Sequence, residues 1–219
     1  MKRLMIFALM ILTACAPVIA DNTLAPLLSS PVGTPTQPVS SPTDIPAAQT
    51  ESASFAPESV PDFLANLPVP NCDSGLTPAD VEGPYYKANT PERNSFYEDG
   101  MQGTKLILVG YVLNNNCFPI PGVWLDFWQA NANGEYDNEG YTLRGHQFTD
   151  NKGRYYLETI LPGEYPQRPI EHIHVKIQAP NGEVFTTQLY FPQKPVEGLT
   201  VDLREQEGYD LAFFNFVIK

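Results

Sequence analysis

The chain has 219 residues, of which 42% are hydrophobic, and this length and composition suit one packed domain with appendages. Its formal net charge is -12, so the chain lacks the overall basic balance that binding to nucleic acid or anionic lipid headgroups requires. Nucleic acid is therefore not an expected partner.

The N-terminus has the features of a bacterial export signal. Lys2 and Arg3 precede an apolar run that ends in Leu12-Thr13-Ala14-Cys15, which resembles a lipobox. We predict a signal peptide over residues 1–14 and a lipid-modified Cys15 that anchors an exported protein to the membrane. An ordinary secretory signal cleaved near Ala20 is the alternative.

Residues 15–62 are dominated by Pro, Ser, Thr and Ala, and no lysine or arginine occurs between Arg3 and Lys87. Such a segment buries too little apolar surface to offset its ordering entropy. We therefore predict a disordered tether there, followed by a folded domain over residues 63–219.

Two cysteines remain for the folded domain if Cys15 carries lipid. Cys72 and Cys117 are then an even pair in an oxidising compartment, which predicts a disulfide between them. Two buried free thiols are the alternative.

The domain reads as strands separated by turns, with no sustained helical periodicity. Pro180-Asn181-Gly182, Asn151-Lys152-Gly153 and Asn133-Gly134 are turn signals between runs rich in β-branched and aromatic residues. The pattern predicts an all-β fold, an antiparallel β-sandwich with long active-site loops. The predicted strands lie near Lys105–Leu113, Val123–Gln129, Arg154–Thr159, His172–Gln178, Val184–Phe191 and Leu211–Ile218.

The chemistry of the domain is indicated by His172-Ile173-His174 in the fourth predicted strand. Residues i and i+2 of a strand share one face, so both imidazoles point the same way. Alone, such a pair is as often a packing or surface feature as a metal site. Tyr136 and Tyr165 lie in nearby loops, and a set of two phenolates and two imidazoles favours Fe(III).

The ordered motifs of the domain resemble those of the intradiol ring-cleavage dioxygenases, the catechol and protocatechuate dioxygenase family. The resemblance extends from Thr77-Pro78 to Phe191 and includes the two tyrosines and the two histidines in order. The matching runs are Glu82-Gly83-Pro84-Tyr85-Tyr86, Pro121–Asn131, Gly134-Glu135-Tyr136, Leu143-Arg144-Gly145, Pro162–Pro166, His172–Lys176 and Thr187–Phe191.

The resemblance implies non-haem Fe(III) bound by Tyr136, Tyr165, His172 and His174. Tyr165 would be the ligand that leaves when substrate binds. The implied reaction uses O₂ to cleave a catechol-type ring between its two hydroxylated carbons, giving a muconate-type diacid. Asp126 and Trp128 belong to the family signature and are expected to shape the sandwich.

The resemblance also implies a cation beside the iron, but here the chain departs from the family pattern. An arginine three residues before the first histidine ligand is usual, and Pro169 occupies that position. We expect Arg168 to serve instead, redirected by a one-residue bulge, with Arg144 as the alternative. Gln188 is expected to orient the arginine, unless it is a polar strand residue that faces solvent.

Two other functions fit parts of the sequence. A non-catalytic, transthyretin-like binding module would explain the β pattern and the tether, but it would leave the tyrosines and histidines without a role. A zinc hydrolase would need a third histidine or a carboxylate, and His146 is the candidate if its loop folds inward.

Overall fold

The computed structural model describes residues 61–219. The predicted signal peptide, the lipid-modified Cys15 and the tether up to residue 60 lie outside the described residues. The described residues begin with a short helix, α1 (Asp62–Ala65). Among residues 61–219 there is no helix with the length and apolar character needed to cross a lipid bilayer.

Within residues 61–219, nine strands form two sheets, and the predicted all-β sandwich is confirmed. The first sheet has the order β4-β1-β8-β7, with β9 also paired to β1, and the second has the order β3-β2-β5-β6. The strands are β1 (Lys105–Asn114), β2 (Trp124–Gln129), β3 (Arg144–Phe148), β4 (Arg154–Ile160), β5 (His172–Gln178), β6 (Phe185–Tyr190), β7 (Asp202–Gln206), β8 (Tyr209–Phe213) and β9 (Phe216–Ile218).

The predicted strand pairing was wholly antiparallel, but the observed pairing is mixed. Strand β1 pairs in parallel with both β8 and β9. The predicted strand Leu211–Ile218 is in fact β8 and β9, separated at Phe214 and Asn215. There the Asn215 side chain accepts a hydrogen bond from the backbone of Tyr111, which replaces a ladder bond. The predicted set also lacked β3 and β7.

The core lies between the sheets and is built by alternation along each strand. Leu106 and Leu108 of β1 pack in one cluster with Leu125 and Phe127 of β2 and with Val175 of β5. The opposite face of β1 is covered by the segment around α1, where Leu64 contacts Ile107 and Val109. Strand β1 is therefore buried on both faces, which explains its nearly continuous apolar sequence.

Cys72 and Cys117 form a disulfide, as predicted. It joins the segment before β1 to the turn after β1 and closes a loop with a sequence separation of 45. In the chain-entropy treatment, a cross-link of this span stabilises the folded state by about 4 kcal/mol.

Removing this cross-link should lower the free energy of unfolding. For the Cys72→Ser/Cys117→Ser variant we expect a loss of about 4 kcal/mol in urea unfolding, because the unfolded chain regains loop entropy. Wild-type protein in excess reductant should unfold at the same urea concentration as the variant. Equal stability of the oxidised and reduced wild type would contradict the prediction.

Candidate metal centre

The predicted site residues of the second sheet lie on its outer face, away from the core. Side chains alternate along a strand, so Ile173 and Val175 of β5 face the other sheet while His172 and His174 face outward. The register places Trp128 and Gln188 on either side of His174. The outward-facing side chains are Arg144 and His146 of β3, Asp126 and Trp128 of β2, His172, His174 and Lys176 of β5, and Gln188 and Tyr190 of β6.

Three predicted ligand atoms converge on this face. The Nε2 atoms of His172 and His174 each lie 3.2 Å from the hydroxyl oxygen of Tyr136. His172 Nδ1 lies 2.7 Å from the carbonyl of Ile170 and donates to it, which leaves the Nε2 lone pair free. Trp128 stacks on His174 with ring centroids 4.7 Å apart and planes at 6°, and this contact holds the second imidazole in place.

Burial sets the protonation of these groups. It lowers the pKa of His172 to about 4 and that of His174 to about 2, so both imidazoles are neutral at neutral pH. Burial also raises the pKa of Tyr136, and the neighbouring Tyr165 raises it further. A bound trivalent cation would instead lower the pKa of Tyr136, because it favours the phenolate. The donor set therefore fits a hard, highly charged metal ion.

Tyr165 completes the set of four predicted ligands. Its ring centroid lies 5.9 Å from that of Tyr136 and 5.9 Å from that of His172. Tyr165 is half-buried, on the loop before β5, whereas both histidines belong to a strand. The structure thus brings together all four residues, the two tyrosines from loops and the two histidines from a strand.

Two glycines allow the tyrosine-bearing loops to approach each other. A Cβ added at Gly134 would lie 2.1 Å from the carbonyl oxygen of Glu164, and one at Gly163 would lie 2.3 Å from that of Ala132. The backbone of Gly163 donates to the carbonyl of Asn131 at 2.8 Å. Direct backbone packing of the two loops therefore places Tyr136 beside Tyr165.

The segment before β1 covers the site, and it contributes residues to which the sequence analysis gave no role. Tyr85 stacks on Tyr136 with ring centroids 4.4 Å apart and also meets the edge of Tyr165. A Cβ at Gly83 would lie 3.3 Å from a ring carbon of His174. The motif that contains Gly83 and Tyr85 was noticed for its resemblance, but nothing in its spacing predicted that Tyr85 stacks on a ligand.

Arg168 and Gln188 are in contact at the same site. The Nη2 group of Arg168 donates to Gln188 Oε1 at 2.8 Å and to the Tyr190 hydroxyl at 2.6 Å. Gln188 is completely buried and donates to the carbonyl of Val81 at 2.6 Å, so the alternative of a solvent-facing glutamine is wrong. Arg168 is redirected by a tight turn with reciprocal backbone hydrogen bonds to Tyr165, and not by a strand bulge.

Comparison with known proteins decides the family. A family model described as Dioxygenase matches residues 81–203, more than half of the chain. Catechol 1,2-dioxygenase of Acinetobacter baylyi is 29% identical over 167 residues, which are 59% of this chain and 54% of that protein. This chain belongs to the intradiol ring-cleavage dioxygenase family. It spans about half the length of the curated relatives that it matches.

Solved structures of this family share the fold. One is the dioxygenase domain of a dioxygenase–carbohydrate-binding protein fusion from Streptomyces sp. SirexAA-E, which is 43% identical, with a TM-score of 0.64. The match covers 66% of this chain and 98% of that domain. An intradiol ring-cleavage dioxygenase from Tetranychus urticae is 25% identical, with a TM-score of 0.59, over 66% of this chain and 95% of that one.

The other candidate arginine of this intradiol family member has a different environment. Arg144 is 1% exposed, and it donates to the carbonyls of Asp137 at 3.0 Å and Tyr85 at 2.6 Å. Its guanidinium carbon lies 5.8 Å from the ring centroid of Tyr136. Arg144 therefore ties together the backbone around two stacked tyrosines, whereas Arg168 holds side chains beside the histidines.

These environments predict that the same substitution acts mainly on stability at Arg144 and mainly on activity at Arg168. Arg144→Met should lower the free energy of unfolding by about 3 kcal/mol, because two backbone carbonyls lose charged donors. Arg168→Met should lower kcat/KM for a catechol by about 100-fold, through lost charge stabilisation, with a smaller loss of stability. Urea unfolding and initial rates on both variants measure this. A more severe stability loss in Arg168→Met than in Arg144→Met would contradict the assignment.

The remaining polar residues of the outer face form a separate cluster. Buried Asp126 accepts hydrogen bonds from Thr90 at 2.8 Å and from Tyr86 at 3.1 Å, consistent with the predicted shaping role. His146 contacts the Thr90 carbonyl through Nδ1 at 2.8 Å. Within residues 61–219, no three His, Cys, Asp or Glu side chains are arranged to hold a metal ion, so the zinc-hydrolase alternative lacks a third ligand there.

Proposed function

We propose that this chain is a non-haem Fe(III) dioxygenase that cleaves a catechol-type ring between its two hydroxylated carbons. O₂ would be the second substrate and a muconate-type diacid the product. The observation that carries the proposal is the convergence of both histidine Nε2 atoms on the Tyr136 hydroxyl at 3.2 Å, with Tyr165 beside them.

Tyr136, Tyr165, His172 and His174 would hold the iron. Two phenolates and two neutral imidazoles balance two of the three positive charges of Fe(III), and hard oxygen donors favour this oxidation state. When bound, the ion supplies Lewis acidity, which withdraws electron density from a chelated catecholate and makes the ring reactive toward O₂.

Tyr165 is the residue suited to give up its position to substrate. Tyr85 meets the Tyr165 ring only edge-on, with centroids 6.0 Å apart, while Tyr136 is fixed by stacking on Tyr85 at 4.4 Å. On giving up this position, the Tyr165 phenolate oxygen would accept a proton from a substrate hydroxyl and so act as a general base.

Arg168 supplies the positive charge for the reacting ring. A catecholate that is to react with O₂ carries carbanionic charge on its ring carbons, and a fixed guanidinium beside the histidines would stabilise it. Gln188 orients this guanidinium through the 2.8 Å hydrogen bond to Nη2, and its own amide is held by the Val81 carbonyl. The pair is fixed before substrate arrives, so little reorganisation is needed.

The experiment that tests this function is a visible absorption spectrum of the full chain, combined with metal analysis. We expect one iron per chain and a broad charge-transfer band from iron-bound tyrosinate, which shifts when catechol is added under nitrogen. Tyr136→Phe should weaken or abolish the band. A wild-type protein that stays colourless after iron reconstitution would refute the proposed centre.

Export as a lipoprotein is part of the same proposal. The sequence at Cys15 supports it, and the Cys72–Cys117 disulfide is of the kind that persists in oxidising compartments. Intact cells supplied with catechol should consume oxygen, and a Cys15→Ala variant should fail to incorporate a labelled fatty acid. Oxygen consumption that appears only after lysis would argue against export.

A further inference from the structure

Arg168 is the first member of a chain of polar contacts that ends at Asp80, a residue of the segment before β1. Arg168 Nη2 donates to the Tyr190 hydroxyl at 2.6 Å, and this hydroxyl lies 2.6 Å from Asp80 Oδ2. The backbone N–H of Asp80 donates to the carbonyl of Thr186 in β6. The contacts thus link the loop before β5, strand β6 and the covering segment.

Counting protons fixes the direction of these hydrogen bonds. The two hydrogens of Arg168 Nη2 go to Gln188 Oε1 and to the Tyr190 oxygen. The single proton of Tyr190 then goes to the Asp80 carboxylate at 2.6 Å, because the alternative acceptor, Gln188 Oε1, lies 3.1 Å away and is already in use.

The phenol separates the carboxylate from the guanidinium. Among the described residues, Arg168 has no carboxylate partner within ion-pair distance, although Asp80 lies just beyond Tyr190. A direct ion pair would neutralise much of the charge of Arg168. The interposed hydroxyl anchors the guanidinium and leaves its positive charge available to a ligand.

The backbone of Arg168 is held as firmly as its side chain. Arg168 N donates to the carbonyl of Tyr165 at 2.9 Å, and Tyr165 N donates back to the carbonyl of Arg168 at 3.3 Å. Arg168 Nε is buried without a hydrogen-bond partner among residues 61–219. A buried N–H group without an acceptor is unfavourable, so the rest of the structure must hold it in place. Here the turn with Tyr165 and the hydrogen bonds to Gln188 and Tyr190 hold the arginine.

We propose that Asp80 and Tyr190 are positioning residues that aim the Arg168 guanidinium at the metal centre while keeping it free of a neutralising carboxylate. This inference rests on the proposed function for its kinetic consequence. It assigns a role to the segment around Asp80, and it explains how the arginine works from a position four residues before His172.

A double-mutant cycle on the full iron-loaded chain tests the kinetic consequence. Asp80→Asn and Tyr190→Phe should each lower kcat/KM for catechol by about tenfold, the equivalent of one charge-assisted hydrogen bond. In an Arg168→Ala background, the same changes should cost less than about twofold, because they act through the arginine. Equal losses in both backgrounds would overturn the proposal. Asp202→Asn is the matched control, since Asp202 forms an exposed ion pair with Arg204.

A second readout uses the metal-free full chain and needs no catalysis. The Arg168 Nε–H signal in a nitrogen-15 NMR spectrum, assigned by its loss in Arg168→Ala, should exchange slowly in the wild type. It should shift and exchange faster in Asp80→Asn and in Tyr190→Phe, and should not change in Asp202→Asn. An Arg168 signal unaffected by both changes would overturn the positioning role. Absence of ring cleavage by wild-type protein would instead overturn the proposed function.

Discussion

Replacing His174 by alanine should remove both iron and activity. His174 is 2% exposed, and its Nε2 atom is one of three donors that converge on one point. No other histidine, cysteine or carboxylate of residues 61–219 stands ready to replace it. We expect iron affinity to fall by at least about 100-fold, more than the usual effect of changing a residue that only supports a ligand. Metal analysis after dialysis against metal-free buffer measures the loss.

The chain contains a matched control for this variant. His146 lies on the same face of the same sheet, but its ring contacts Thr90 and lies between Trp124 and Phe148. His146→Ala should keep its iron and its charge-transfer band, whatever it does to stability. Retention of iron by His174→Ala, or equal loss from His146→Ala, would show that the ligand assignment is wrong.

The second large effect is expected from one methyl group at Gly163. A Cβ there would lie 2.3 Å from the carbonyl oxygen of Ala132 and 2.6 Å from the backbone nitrogen of Gly134. Neither backbone atom can yield as a flexible side chain would, so the two tyrosine loops must separate. Gly163→Ala should cost about 1–3 kcal/mol of stability and should weaken the tyrosinate band by displacing Tyr165 from Tyr136.

Gly182→Ala is the comparison for that experiment. Gly182 lies in the hairpin between β5 and β6, and an added Cβ would meet its nearest atom at 3.3 Å. The free energy of unfolding of Gly182→Ala should differ from that of the wild type by less than about 1 kcal/mol, and the tyrosinate band should be unaltered. If Gly163→Ala retains a wild-type spectrum, then close packing of the loops is not what holds the two tyrosines together.

The strand that carries both proposed histidine ligands was predictable because its residue types and its burial pattern agree. In β5, apolar residues alternate with His172, His174 and Lys176, and this alternation alone places both imidazoles on one face. The missed strand β3 lacks such a signal, because Arg144-Gly145-His146 contains one buried cation, one glycine and one half-buried histidine. Gly145 occurs there because Phe96 and Arg93 pack where a Cβ would lie.

The surroundings of the metal centre were less predictable than the ligands. Arg168 was expected to need a bulge, but a turn closed with Tyr165 redirects it, and local spacing does not distinguish the two. Tyr85 and Asp80 reach the site only because the covering segment binds to β6 across more than a hundred positions of sequence. Contacts of such separation depend on how loops pack, and no periodicity encodes that.

The alternation along β5 has a consequence for handling the protein. Ile173, Val175 and Ile177 hold the two sheets together from one side of the strand, while the proposed iron ligands His172 and His174 project from the other side. Chelators should therefore empty the centre without melting the sandwich, and the emptied chain should accept iron again without passing through denaturant. The fold should then stay the same with or without metal. Gallium or cobalt could replace iron, and the binding of each ion could be compared in the same protein structure.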